Sequence, residues 1–212
     1  MAEQYKLTYF NGRGAGEIIR LVFAVAGQQY EDERVPRDQW PQRKPDMPMQ
    51  QMPVLTITKG GKSTVFCQSG AISKHLARKF GLFGSNETEA FLIDEMLESL
   101  GDTMRDLQKA MFGTDENQKK ESMKNFKETS VPRFCRFFNL RQKEFGSKYA
   151  IGEKLSLADL SVFNFVDQIT RRGFGDVWDN KPVVKELYEL FELVQSDSRV
   201  KTWLDKRPDS EF

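Results

Sequence analysis

Tyr9 stands at the carboxyl end of an alternating, β-forming run, Gln4-Tyr5-Lys6-Leu7-Thr8-Tyr9-Phe10, just ahead of the turn-forming stretch Gly12-Arg13-Gly14-Ala15-Gly16. Carboxyl ends of strands in α/β sheets are where ligands bind. From the strand pattern alone, Tyr9 reads equally well as a core aromatic. Gln68-Ser69 sits where a second strand hands over to a helix. Backbone N–H groups and the positive end of the helix dipole attract a carboxylate there, and the Ser69 hydroxyl can donate to it or cap its own helix. The remaining candidates for chemistry are few. His75 is the single histidine, so clustered zinc ligands and metalloprotease motifs are excluded. A serine or cysteine triad would rest on that residue, which lies in an amphipathic stretch and reads as a helix-surface or packed side chain. Cys67 and Cys135 form neither a Cys-x-x-Cys pair nor a ligand cluster, and Cys67 reads as a small buried apolar filler. Gly12-x-Gly14-x-Gly16 is not a dinucleotide loop, because the pattern Gly-x-Gly-x-x-Gly needs glycine where Glu17 stands.

Bulk composition is that of an ordinary globular protein. Of 212 residues, 39% are apolar and 30% charged, the balance of a soluble globular chain. Lys plus Arg exceeds Asp plus Glu by one, 32 against 31, which gives no pull toward nucleic acid or an anionic membrane. No apolar run approaches the roughly 18 residues that span a bilayer, and the opening residues lack the apolar stretch of a secretory signal. A cytoplasmic, reduced protein that needs no metal is expected.

The elements that must hold Tyr9 and Gln68-Ser69 can be read from periodicity. Residues 4–10 form a strand, 15–26 a helix stopped at Gly27, and 30–35 a weaker strand. Five of the eight prolines (Pro36, Pro41, Pro45, Pro48 and Pro53) then fall within 36–53, which reads as an irregular, exposed loop. Val54–Thr58 and Ser63–Cys67 form a hairpin across Gly60-Gly61. Ser69 is expected to cap a helix with Ile72, Leu76, Ala77 and Phe80 on one face, ending at Gly81. After the linker 81–86 the pattern is helical only. Ile93, Met96, Leu100, Met104, Leu107 and Met111 mark one long helix, and Phe126 to Leu140 another that shifts near Pro132. Ser156-Leu157-Ala158-Asp159 resembles a capping box with Asp in the usual Glu position, and Pro182 suits the first turn of a further helix running to about Gln195. An α/β domain of residues 1–81, ordered βαβ–ββα, thus precedes an all-α domain of residues 87–212.

That architecture is the one shared by thioredoxin-like folds with a helical C-terminal domain. Tyr5-Lys6-Leu7-Thr8-Tyr9-Phe10-Asn11, Arg13-Gly14, Glu17-Ile18-Ile19-Arg20, Tyr30-Glu31-Asp32, Gln39-Trp40-Pro41, Met52-Pro53-Val54-Leu55, Gln68-Ser69-x-Ala71-Ile72 and Ser156-x-x-Asp159 follow one another at family spacings. Across essentially the whole chain this series resembles the cytosolic glutathione transferases, most of all the sigma class. The class includes detoxifying transferases, haematopoietic prostaglandin D synthase and the S-crystallins.

The resemblance implies that Tyr9 is the catalytic tyrosine whose hydroxyl donates to the sulfur of glutathione. It implies that Gln68 and Ser69 hold the γ-glutamyl carboxylate and that Met52-Pro53 is a cis pair whose backbone meets the cysteinyl part. Trp40, Lys44 and Gln51 correspond to contacts at the glycyl end. Asp102 corresponds to a residue that reaches the α-amino group of glutathione in the partner subunit, which implies a homodimer. The first domain would then bind glutathione, and the helical domain would form an apolar electrophile pocket, with Met104 and Met111 as possible lining, and part of the dimer interface. One departure is chemical: Ala15 stands where the class usually has a second arginine near the thiolate. Prostaglandin D synthase activity is a second reading, weakened because Gly101 replaces the middle of three carboxylates, between Glu98 and Asp102. A weakly active S-crystallin-like structural protein is a third; Ala15 favours it, and the eight Met and abundant Lys oppose it.

Overall fold

The computed structural model describes residues 2–145, 148–179 and 181–210. They fall into two compact units, one of residues up to Leu82 together with those from Ser196 onward, the other Phe83–Gln195.

The first unit is built on a four-stranded sheet ordered β2-β1-β3-β4. Strand β1 is Gln4–Phe10, β2 Glu31–Val35, β3 Val54–Lys59 and β4 Lys62–Cys67. The β1–β2 pair is parallel, as the intervening helix α1 (Glu17–Ala26) requires, and the other pairs are antiparallel. Gly60 and Gly61 both take positive φ, 59° and 78°, as a two-residue hairpin turn requires and as glycine adopts without strain. Helix α1 is apolar on most sides and ends at Gly27, whose φ of 64° closes the helix. The core joins Leu7, Ile19, Phe23, Leu55 and Leu76, all with no exposed surface. Residues 36–53 are not irregular throughout. They form short helical turns, Arg37–Gln39, α2 (Trp40–Arg43) and Lys44–Asp46, where Pro41 and Pro45 fix φ in the helical range while limiting longer runs, followed by a turn at Pro48–Gln50 in which Met49 and Gln50 take positive φ of 56° and 50°.

Helix α9 (Ser198–Lys206) packs on α1 within this unit. Contacts between them include a buried carboxylate: Glu17 of α1 accepts the Trp203 indole N–H and an Arg207 N–H, both at 2.9 Å.

The second unit is helical. Helix α4 (Glu87–Phe112) is capped by Asn86, which accepts the Glu89 N–H, and buries Ile93, Met96, Leu100 and Leu107 of the expected stripe; Met104 and Met111 remain half-exposed. Helix α5 (Glu116–Asn125) runs through a wider turn, Phe126–Ser130, into α6 (Val131–Phe145). The shift falls where Pro132 lacks an N–H for the helical ladder. Arg141 of α6 grips Glu95 of α4 with two bonds of 2.8 and 2.7 Å. Helix α7 (Leu157–Ile169) opens on the expected capping box, and α8 is Lys181–Ser196.

Candidate functional site

The sheet register brings three of the first-unit candidates to one end of the sheet. Thr8 pairs with Val54, and Val54 with Cys67. Carrying both antiparallel registers one residue further puts Tyr9, Pro53 and Gln68 in one row, at the end of the sheet where β1 yields to α1.

Tyr9 is half-buried, and its hydroxyl oxygen accepts the backbone N–H of Ala15 at 3.0 Å. That N–H lies in a 3₁₀ turn, Gly14–Gly16, leading into α1. With one lone pair engaged, the hydroxyl keeps its proton for a donor role. The glycines around Ala15 are a bed for the ring. A Cβ on Gly14, whose φ is 37°, would lie 2.5 Å from the Tyr9 hydroxyl, and one on Gly16 would lie 2.6 Å from ring carbon Cδ1. Only hydrogen fits at either position. The run that superficially suggested a phosphate loop is where the backbone approaches an aromatic ring.

Gln68 adopts φ 72° and ψ 105° at the N-cap of α3 (Ser69–Lys79), and no side chain bonds into that helix start. Ser69 was expected to cap; it is instead the first helical residue. Non-glycine residues at positive φ are strained, by about 1–3 kcal/mol, and such strain gathers at binding sites. Gln68 is exposed and Ser69 half-buried, with the uncapped first-turn N–H groups beside them. The Met52–Pro53 peptide is cis, Pro53 is buried, and Gln51 is exposed on extended backbone just before it. Trp40 packs edge-on to Phe10, the neighbour of Tyr9, with ring centres 5.4 Å apart. Lys44 stands exposed in the turn Lys44–Asp46.

Asp102 lies in the other unit, on α4, with its side chain 62% exposed and paired with Arg105 on the next turn. Gly101 and the exposed Glu98 flank it on the same helix. Among the described residues no group of three or more His, Cys, Asp or Glu is placed to hold a metal, and no helix is long and apolar enough to cross a membrane. His75 is exposed on α3 and stacks on Phe66 of β4 at 6.2 Å. Cys67 is half-buried rather than buried, whereas Cys135 is buried and its thiol is pushed up to about 12 by that burial.

Residues 5–78 match the family model described as glutathione S-transferase, N-terminal domain, and residues 101–207 the C-terminal domain of the same family. A relative named glutathione S-transferase 3 of Caenorhabditis elegans is 32% identical over 98% of this chain and 99% of its own length. The chain belongs to the glutathione S-transferase family. Two solved structures agree with that assignment. A nu-class transferase of Haemonchus contortus is 36% identical with a TM-score of 0.86, covering 100% of both chains. A sigma-class transferase of Fasciola hepatica is 31% identical with a TM-score of 0.87, covering 99% of both. The protein is a transferase with the thioredoxin-like and helical architecture of that family, and glutathione is the family's substrate.

Sequence reasoning missed part of what surrounds Tyr9 in this glutathione S-transferase. Arg20 of α1 is wholly buried, donates to the carbonyls of Gly12 (2.6 Å) and Phe10 (3.4 Å) and to Asp32 (3.1 Å), and lies 5.8 Å from the Tyr9 ring centre. Its neighbour Glu17, 1% exposed, binds the C-terminal residues already described. A signal for them was present. Glu17 and Arg20 interrupt an otherwise apolar helix, and charges on a buried face are found paired.

Proposed function

We propose that this protein is a sigma-class-like glutathione transferase that conjugates the glutathione thiolate to apolar electrophiles, with Tyr9 as the activating residue. The observation that supports the reading is the register Thr8–Val54–Cys67, which leaves Tyr9, Pro53 and Gln68 each one residue beyond it at the same end of the sheet, with the Tyr9 oxygen held by the Ala15 N–H. In that row the Tyr9 hydroxyl donates to the sulfur, the Met52 backbone pairs with the cysteinyl amide, and Gln68, Ser69 and the uncapped N–H groups of α3 receive the γ-glutamyl carboxylate. Trp40, Lys44 and Gln51 serve the glycyl end, where Lys44 supplies a point charge and Gln51 amide donors.

The chemistry follows from the donor. A hydrogen bond to an ionised acceptor contributes about 1.5–3 kcal/mol. At about 1.36 kcal/mol per unit, it lowers the thiol pKa by roughly one to two units. The thiol proton leaves to solvent, the thiolate attacks an electrophilic carbon, and with an aryl halide the ring expels halide as the carbon–sulfur bond forms. The apolar electrophile is assigned to the helical unit, where Met104 and Met111 stay half-exposed on α4. Conjugation is favoured over prostaglandin isomerisation because Gly101 interrupts the carboxylate series between Glu98 and Asp102. The Ala15 N–H that holds the Tyr9 oxygen, together with eight Met and abundant Lys, favours a working enzyme over a lens structural protein, against the loss of charge at residue 15.

We assign the protein to the cytoplasm and to a two-fold homodimer in which Asp102 reaches the partner's glutathione. Phe91 on α4 is 65% exposed, and Val65 and Phe66 on β4 are also exposed, which suits burial against a second copy. Calorimetric titration is expected to show sub-millimolar glutathione binding, and an aryl halide should be turned over. Absence of binding at millimolar glutathione would remove the site. Sedimentation as a monomer at micromolar concentration would remove the role of Asp102 across the interface.

A further inference from the structure

We propose that Arg20 is a positioning residue of the glutathione site, and that Glu17, Trp203 and Arg207 form the frame that holds it. The inference rests on the reading of Tyr9 as the group that stabilises the thiolate.

Arg20 points at the turn behind Tyr9. Its Nη1 donates to the Gly12 carbonyl at 2.6 Å and its Nη2 to the Phe10 carbonyl at 3.4 Å, while the Gly12 N–H itself donates to Phe10 at 2.8 Å. These three bonds close the segment that separates Tyr9 from Ala15, the residue whose N–H holds the Tyr9 oxygen. The third edge of the guanidinium, Nε, donates to Asp32 of β2 at 3.1 Å, which ties the turn to the sheet. A planar fork can serve two carbonyls and a carboxylate at once, whereas a lysine ammonium on a flexible stem cannot. The guanidinium also lies over the Tyr9 ring, 5.8 Å from its centre, in a chain whose residue 15 is an alanine without charge.

A buried guanidinium persists only with carboxylates around it. Glu17 is the second of these, and it faces two ways. Its Oε2 meets Arg20 Nη1 at 3.4 Å, and its Oε1 accepts both Trp203 Nε1 and Arg207 Nη1 at 2.9 Å. The carboxylate thus bridges the turn that carries Tyr9 and the end of the chain. The charged and titratable groups facing this cluster are Glu17 of α1, Asp32 and Arg34 of β2, Tyr30 just before β2, and Arg207 beyond α9, with Arg13 ahead of α1 near Asp209. None is a histidine or a thiol, and burial pushes the Tyr30 phenol upward. A pH profile through the neutral range therefore reports the bound thiol.

Trp203→Phe tests the frame gently, since it removes one N–H from Glu17 and keeps an aromatic ring outside the site. The measurement is kcat and KM for glutathione against pH, with an aryl halide, in wild type, Arg20→Lys, Trp203→Phe, Tyr9→Phe and the double variant Tyr9→Phe/Trp203→Phe. Arg20→Lys is expected to raise the acid limb by about half to one unit and to lower kcat on that limb about 3- to 10-fold, with KM for glutathione within about twofold. Trp203→Phe should act in the same direction by about 2- to 5-fold. In the Tyr9→Phe background Trp203→Phe should add less than about twofold, because both act through one hydroxyl. Unchanged profiles in Arg20→Lys and Trp203→Phe, or a full-sized Trp203→Phe effect without the Tyr9 hydroxyl, would overturn the proposal. If Arg20→Lys does not fold, the Trp203 cycle decides alone. A Tyr9→Phe profile equal to wild type removes the Tyr9 reading and this proposal with it. A shifted Tyr9→Phe beside an unshifted Trp203→Phe removes only the positioning role.

Discussion

Helix α3 follows strand β4 and helix α7 follows a bent loop, and their first turns are finished in opposite ways. At α7 the Ser156 hydroxyl accepts the Ala158 N–H at 3.2 Å. The wholly buried Asp159 accepts the Ser156 N–H, the Ser156 hydroxyl and the Ala150 N–H at 2.6–2.8 Å. At α3 no side chain caps, and Gln68 is held at positive φ on the surface. The same four orphan donors exist at both starts. Where the protein's own oxygens fill them, the helix end is framework. Where they are kept open at a cost in strain, the helix end is assigned to a ligand's carboxylate.

That contrast can be broken most forcefully at Asp159. Asp159→Ala leaves two buried backbone N–H groups and a hydroxyl without their acceptor, at about 1–3 kcal/mol for each unsatisfied group. A loss of about 3 kcal/mol, or about 6–12 °C in Tm, is expected by thermal denaturation, while glutathione affinity of the folded protein stays near wild type. A fall in affinity with no change in Tm would reverse the assignment of the two starts.

The same carboxylate makes stability depend on pH. Burial raises the Asp159 pKa to about 6 from an ordinary 3.8, against the opposing pull of its hydrogen bonds. Between those values the folded state binds the proton that the unfolded state has released, so this contribution to stability is full below about pH 4 and declines as pH rises through about 6. Wild type should therefore lose stability relative to Asp159→Asn across that window, by on the order of 2–3 kcal/mol, in denaturant titrations at several pH values. A parallel pair of curves would show that Asp159 ionises normally when folded.

At α3 the expected effects are smaller and fall on binding. Ser69→Ala removes a donor to the proposed carboxylate, about 1–2 kcal/mol or roughly 5- to 30-fold in glutathione Kd by calorimetry. Tm should hold within about 2 °C, since no cap bond is lost. Gln68→Gly should raise stability slightly, by up to about 1 kcal/mol from relief of the left-handed backbone, while weakening glutathione binding. Loss of stability together with unchanged binding would mark Gln68 as an ordinary turn residue.

These two helix starts also mark how far the sequence could be read. Ser156-x-x-Asp159 was legible because a capping box closes within four residues, and the strands β1, β3 and β4 because alternation and the Gly60-Gly61 turn are local. Ser69 was mistaken for the N-cap because the positive φ of Gln68 is set by how β4 hands over to α3, which residue types alone do not reveal. The row of Tyr9, Pro53 and Gln68 depends on pairing between strands far apart in the chain, so only resemblance to a family could suggest it. Nothing local announced that α9 returns to α1, since Glu17 and Trp203 stand 186 residues apart. The bed of Gly14 and Gly16 under the Tyr9 ring was hidden in the same way, behind a glycine spacing that resembled another motif.

The claim on which the functional account depends most is that the Tyr9 hydroxyl stabilises the glutathione thiolate. The direct measurement is the ultraviolet absorbance of that thiolate in the enzyme–glutathione complex, titrated from acid to alkaline pH in wild type and Tyr9→Phe. Loss of one charge-assisted hydrogen bond should move the midpoint upward by roughly one to two units and slow conjugation about 10- to 100-fold near neutral pH, with glutathione affinity changed far less. Equal midpoints and equal turnover in the two proteins would make Tyr9 a packed aromatic and nothing more.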